Sequence, residues 1–182
     1  MRKTAAVFLL LGLVAGSAQA AMSDSNSSQL SVEYLKGEGR VNGMRLAYRP
    51  VEYHVTSLPW IGDANIYLEA STNFWQYGNP SHYQSNVALA LSPVLKKQFA
   101  SLYDRPVFWE FGIGVSMLDK RRFAGKDLGS HFQFEDRLGL LFGLDTRNSQ
   151  MLAVRYMHYS NGGLSSRNPG MDFLNIAYSW RF

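Results

Sequence analysis

The 182-residue chain contains no cysteine, so it has neither a disulfide framework nor the acylated cysteine of a lipid-anchored start. Beyond residue 20 it lacks any apolar run long enough for a transmembrane helix. It also lacks a strong charge bias. Without Arg2 and Lys3, its 18 basic residues fall to 16 against 14 acidic ones, a net of +2. No basic stripe and no phosphate-cradling loop accompanies that balance, which argues against a nucleic-acid partner. The 4 histidines are scattered along the chain and make no metal site.

Aromatic residues, by contrast, are abundant: 10 Tyr, 11 Phe and 4 Trp. The start reads as an export signal. Arg2 and Lys3 precede the apolar run TAAVFLLLGLVAG, and the small residues Ala18 and Ala20 make a cleavage site. That pattern predicts a signal peptide over residues 1–20 and a single domain over 21–182. Residues 21–28 are small and polar and predict a flexible lead-in. An exported, aromatic-rich chain without a membrane helix points to a β-barrel.

Alternation supports that reading. In MDFLNIAYSWRF, Leu174, Ile176, Tyr178, Trp180 and Phe182 share one face, while Phe173, Asn175, Ala177, Ser179 and Arg181 share the other. The same period runs through LSVEY, MRLAYRP, NIYLEAST, NVALALS, VFWEFGIGVS, FEDRLGLLF and MLAVRYMHYS, which makes eight strands in all. The polar faces hold Glu33, Glu69, Glu110 and Glu135 against Arg45, Arg49, Arg137 and Arg155. Equal numbers of each sign fit an interior ion-pair network, because lone buried ions are costly. The predicted fold is all-β, an eight-stranded antiparallel transmembrane β-barrel with charges inside and apolar residues outside. A soluble lipocalin-like barrel would invert those faces; the outward aromatics and Phe182 favour the membrane form. Asp136 shares parity with Leu138 and breaks the apolar pattern, which calls for a bulge or a position above the lipid. With both termini periplasmic, connections near 37–43, 78–85, 118–128 and 161–171 lie at the cell surface. Those near 51–63, 96–105 and 143–149 are periplasmic.

The seventh strand then carries His158 and Ser160 to its extracellular end, with the lipid-facing parity of Leu152, Val154 and Tyr156. Asp172 shares that outward parity on the eighth strand. A serine hydroxyl becomes a useful nucleophile when an imidazole accepts its proton and a carboxylate holds the imidazole in the right tautomer. Residues two apart on a strand point the same way, and Asp172 approaches across the hairpin. Asn161, Gly162 and Gly163 offer an amide and pliable backbone for an oxyanion, and Asn168 is a further donor. The bland alternative is a polar turn, since His-x-Ser and NPG also suit loop chemistry.

HYSNGG in the penultimate strand of such a barrel resembles the outer-membrane lipid A 3-O-deacylase (PagL) family, and the likeness extends to FWEFGIGVS and GSHFQFEDRLGLLFG. The resemblance implies that His158 and Ser160 are the catalytic pair, with Asp172 at the position of the family's usual glutamate, one methylene shorter. It implies that Asn161 and Asn168 serve the oxyanion hole, with a backbone donor at Gly163. The implied activity is a serine esterase in the bacterial outer membrane. It would remove the 3-position hydroxyacyl chain of lipid A in lipopolysaccharide, without a metal or organic cofactor. Lys120, Arg121, Arg122 and Lys126 in DKRRFAGKD are candidate contacts for lipid A phosphates, or simply a solvated loop.

Three other readings compete. An OmpA- or OmpX-like barrel would be structural or adhesive; a phospholipase or acyltransferase could share the barrel; a channel is disfavoured because eight strands leave an interior filled by side chains. His54 is expected in a periplasmic turn, His82 in a surface loop and His131 at interior parity, in structural or solvated roles. Homodimerisation is left open.

Overall fold

The computed structural model describes residues 28–79 and 82–182; the expected signal peptide lies outside the described residues. The strands are β1 (Gln29–Gly37), β2 (Val41–Arg49), β3 (Glu52–Leu58), β4 (Gly62–Asn79), β5 (His82–Leu102), β6 (Arg105–Leu118), β7 (Arg122–Phe123), β8 (Lys126–Asp127), β9 (Phe132–Gly143), β10 (Gln150–Ser160) and β11 (Met171–Arg181). Nine of them form one antiparallel sheet, in the order β2-β1-β11-β10-β9-β6-β5-β4-β3, and a further β2–β4 pairing closes it into a ring. Both β2 and β3 run antiparallel to β4, one after the other across Pro50, which has no N–H to donate to a ladder. They are the two halves of one barrel strand, so the ring has eight, as the alternation predicts. The short β7–β8 hairpin stands apart in the connection between β6 and β9.

Some strands run further than the alternation suggests. β3 occupies Glu52–Leu58 and β5 reaches Leu102, so the connections expected over 51–63 and 96–105 shrink to 59–61 and Tyr103–Asp104. Tyr103 and Asp104 have φ of 50° and 60°, the left-handed pair that a two-residue type I′ hairpin requires. Asn-Gly would have announced that turn; Tyr-Asp does not.

The faces sort as predicted. Leu30, Val32, Tyr34, Leu89, Leu138, Val154 and Ile176 point outward and exposed, while the residues between them are buried. All eight expected charges meet inside. Arg45 reaches Glu33, Glu69 and Glu135 at 3.0, 2.7 and 3.1 Å; Arg137 reaches Glu69 and Glu135 at 2.7 and 2.6 Å. Arg49 pairs with Glu69 at 2.6 Å, and Arg155 bridges Glu33 and Glu110. Space for these long side chains comes from small neighbours: a Cβ on Gly139 would lie 2.8 Å from Arg155 Cγ. Apolar clusters close the network at both ends. One contains Trp75, Phe123, Met157, Tyr159 and Phe173; the other contains Phe108, Leu141 and Met151.

Phe182 N donates to Ser28 O at 3.0 Å, so the two ends of the described barrel meet at one rim. β10 runs away from that rim. A row of paired residues climbs from Leu30 there through Tyr48, Ala70, Leu91, Val115 and Phe134 to Ser160 at the far rim. The tilt of the strands therefore carries one circuit of pairing from one end of the barrel to the other.

Glu69 contacts three arginines, so Glu69→Gln leaves excess buried positive charge and is expected to destabilise the barrel by about 3–5 kcal/mol. Glu38→Gln, at a half-exposed carboxylate paired with Lys126, is expected to change stability by less than about 1 kcal/mol. Urea unfolding of the two variants in detergent checks the difference; equal midpoints would refute it.

Candidate active site

β10 is pinned by its inward residues. Arg155 is held by Glu110 and Glu33, Met157 packs in the far-rim cluster, and Tyr159 donates to Glu135 at 2.9 Å. Tyr156, His158 and Ser160, which alternate with these, must then face outward. On β11, inward Asn175 donates to Glu33 at 2.8 Å, which sends Asp172 outward as well. Register does the rest. His158 stands directly opposite Asp172 on one side and Asp136 on the other, so two carboxylates flank one imidazole along a single row.

His158 Nδ1 donates to Asp172 Oδ1 at 2.6 Å. The carboxylate can only accept when ionised, so this contact leaves Nε2 free to take a proton. Asp172 Oδ1 also accepts the Tyr156 hydroxyl at 2.5 Å, which steadies the acid from the same strand as the histidine. Directly opposed residues on antiparallel strands have Cβ atoms roughly 4.5–5.5 Å apart. A short aspartate spans that gap, so the missing methylene does not break the contact. Gly170 closes the other side: its φ is 68°, and a Cβ there would lie 2.8 Å from His158 Cε1. Ser160 is half-buried, and its Oγ makes no hydrogen bond, to His158 or otherwise, among the described residues. Catalytic contacts of this kind commonly tighten only around substrate.

The connection after Ser160 departs from expectation. Asn161 is fully buried, its amide donating to Leu128 O at 2.9 Å and Arg167 O at 2.6 Å. Its Oδ1 accepts Gly163 N at 2.9 Å. The Asn161 side chain and the Gly163 N–H are therefore spent on building the loop and are not open to an oxyanion. Asn168 Oδ1 accepts Asn161 N at 2.9 Å, which turns the remaining amide donor of Asn168 to the exposed side. Gly162 N–H likewise makes no hydrogen bond among the described residues. Its Cα lies against the Phe134 ring, and Phe134 is the cross-strand neighbour of Ser160.

The four candidate phosphate contacts are unequal. Lys126 donates to Glu38 at 2.7 Å and to Gly170 O at 3.0 Å, tying the β7–β8 hairpin to the loop beside His158. Lys120 is turned to Ser85 O at 3.0 Å. Arg121 and Arg122 lie 3.9 and 3.4 Å from Asp127 and keep exposed outer edges. The other histidines lie apart from this site. His54 sits within β3, not in a turn, and contacts Asn65 Oδ1 at 2.8 Å. His82 opens β5. His131 is exposed, not interior, because it precedes the first inward residue of β9 and contacts Leu118 O at 2.8 Å.

Three members of the site escape motif reading: Tyr156, Asp136 and Gly170. Parity alone marks the first two as outward neighbours of His158. Asp136 needs no bulge, since β9 pairs without a register shift on either side. A left-handed glycine packed on an imidazole leaves no sequence signal beyond NPG.

A family model described as lipid A 3-O-deacylase (PagL) matches residues 42–181. The lipid A deacylase PagL of Pseudomonas aeruginosa is 36% identical over 112 residues, which span 62% of this chain and 62% of that protein. PagL of Bordetella bronchiseptica is 41% identical over 73 residues, 40% of each chain. The matched segments thus span less than two thirds of either relative. A crystal structure of the outer membrane enzyme PagL superimposes with a TM-score of 0.67 at 26% identity, covering 84% of this chain and 98% of that one.

A fluorophosphonate probe, which traps activated serines, is expected to label Ser160. His158→Ala should slow labelling by ~10²-fold or more, and Gly170→Ala, which displaces the imidazole, by about tenfold. Undiminished labelling in His158→Ala would remove the histidine from the site.

Proposed function

We propose, since the chain belongs to the lipid A 3-O-deacylase (PagL) family, that it is an outer-membrane esterase hydrolysing the 3-position hydroxyacyl ester of lipid A. The observation that carries this reading is the His158–Asp172 contact at 2.6 Å beside Ser160, on the membrane-facing wall at the far rim. Lipid A occupies the outer leaflet. With residues 1–20 as an export signal and the rim that carries the chain termini in the periplasm, the site meets an acyl ester laterally, at the depth where such esters lie.

In this mechanism His158 Nε2 takes the Ser160 proton as Oγ attacks the ester carbonyl. Asp172, steadied by Tyr156, holds the imidazole by Nδ1 and stabilises the imidazolium that forms. The side-chain amide of Asn168 and the N–H of Gly162, neither of which is hydrogen-bonded among the described residues, receive the developing oxyanion. His158 then protonates the departing sugar oxygen, leaving an acyl-Ser160. Water attacks that ester with His158 again as base, and Ser160 recovers its proton as the hydroxy fatty acid leaves. Asp136, across from His158, adds negative potential on the other side of the ring. Side chains and water account for every proton, so the reaction as written needs no cofactor. Asn161 acts through the loop it builds.

Mass spectrometry of lipid A incubated with the purified protein tests this. Loss of one hydroxyacyl chain is expected, with Ser160→Ala slower by roughly 10³-fold or more and Asp172→Asn by roughly 10²-fold or more. An unchanged spectrum from a folded barrel would favour an OmpX-like structural role. A gain in mass would mean acyl transfer, and release of phospholipid chains a phospholipase.

A further inference from the structure

We propose that Arg121, Arg122 and Arg167, gathered around Asp127, form a phosphate subsite that docks a lipid-borne phosphomonoester beside Ser160; this rests on the deacylase reading above. Arg167 NH1 lies 2.7 Å from Asp127 Oδ2, Arg122 Nε 3.4 Å from the same oxygen, and Arg121 Nε 3.9 Å from Oδ1. The carboxylate is 15% exposed, whereas the three arginines are 50–71% exposed. One anion thus holds together three cations that would otherwise repel, and leaves two positive charges in excess with their outer N–H groups open. Asp127 is kept charged, its pKa below the usual carboxylate range, by the Gly129 backbone N–H at 3.1 Å and by the guanidiniums. A phosphomonoester, with close to two negative charges and three acceptor oxygens, complements that excess.

Position ties the cluster to the chemistry. Arg167 belongs to the loop that follows Ser160; its carbonyl accepts the Asn161 amide at 2.6 Å, and the next residue is the oxyanion donor Asn168. The hairpin passes so close that a Cβ on Gly129 would lie 2.1 Å from Arg167 O. A cavity of about 510 Å³ opens on the β5 side of the hairpin, where Arg122 and Asp127 line it with Lys120 and Lys126; Arg121 and Arg167 lie outside it. Lys120 and Lys126 are turned to protein acceptors, so the arginines carry the recognition.

The alternative is that Asp127–Arg167 only staples the hairpin to the loop. Turnover of phosphorylated lipid A and of the same lipid A stripped of phosphate, both in detergent, separates the two. The native protein is expected to show a KM about tenfold lower for the phosphorylated lipid, roughly one bidentate charged contact. Arg167→Gln, and separately Arg121→Gln with Arg122→Gln, should bring that ratio toward one. A native ratio of one, a ratio that persists in both variants, or an equal fall of kcat on both lipids would overturn the subsite. No native turnover of either lipid would sink the deacylase reading instead. Retention of the two lipids on immobilised Ser160→Ala protein then decides the subsite, and equal retention overturns it. Displacement of the lipid by an equal concentration of inorganic phosphate would mean a free-anion site and overturn the headgroup assignment.

Discussion

Everything on the outer wall depends on the carboxylate–guanidinium lattice inside it. Eight charges placed where water is excluded are tolerable only when each meets its opposite, and Arg45, Arg137 and Arg155 each bridge at least two glutamates. That requirement locks the register of the strands. A slip of one residue in β10 would turn Arg155 to the lipid and His158 into the lattice, leaving unpaired charge on both faces. The outward direction of Tyr156, His158 and Ser160 is thus a consequence of where Arg155 must point.

The candidate site uses the rigidity so obtained. His158 and Asp172 stand on adjacent paired strands, where the separation is set by the ladder, and this is why a short aspartate reaches the imidazole. Tyr156 adds a second donor to the same carboxylate oxygen. The less regular parts of the site come from the loop after Ser160, and Asn161 organises it: one buried amide holds carbonyls of Leu128 and Arg167 together and receives the Gly163 N–H. The β7–β8 hairpin is bound into the same unit through Lys126, Asp127 and Gly129. Phe123 at its tip plugs the barrel below. The loop after Ser160 and the barrel interior are therefore parts of one packed assembly.

Much of this was legible in the chain because a β-barrel writes itself in a period of two. The eight strands, the inward charges and the outward direction of His158, Ser160 and Asp172 all follow from parity, which needs no knowledge of distant contacts. The misreadings fall where parity gives no guidance. His131 lies just outside a strand, so alternation assigns it a face it does not have. His54 sits in a strand continued past Pro50, and the Tyr103–Asp104 turn lacks the glycine that usually marks a type I′ hairpin.

By itself the sequence determined the barrel, its inside and outside, and the outward direction of His158, Ser160 and Asp172, because each is a local property of alternation and residue type. Tertiary structure alone decided which groups meet. That Asp136 and Asp172 flank His158, that Asn161 and Gly163 are consumed in building their loop while Asn168 and Gly162 keep open donors, and that Arg167 joins Arg121 and Arg122 on one carboxylate all depend on cross-strand register and loop closure. Those are set by packing between residues far apart in the chain, and no local pattern encodes them.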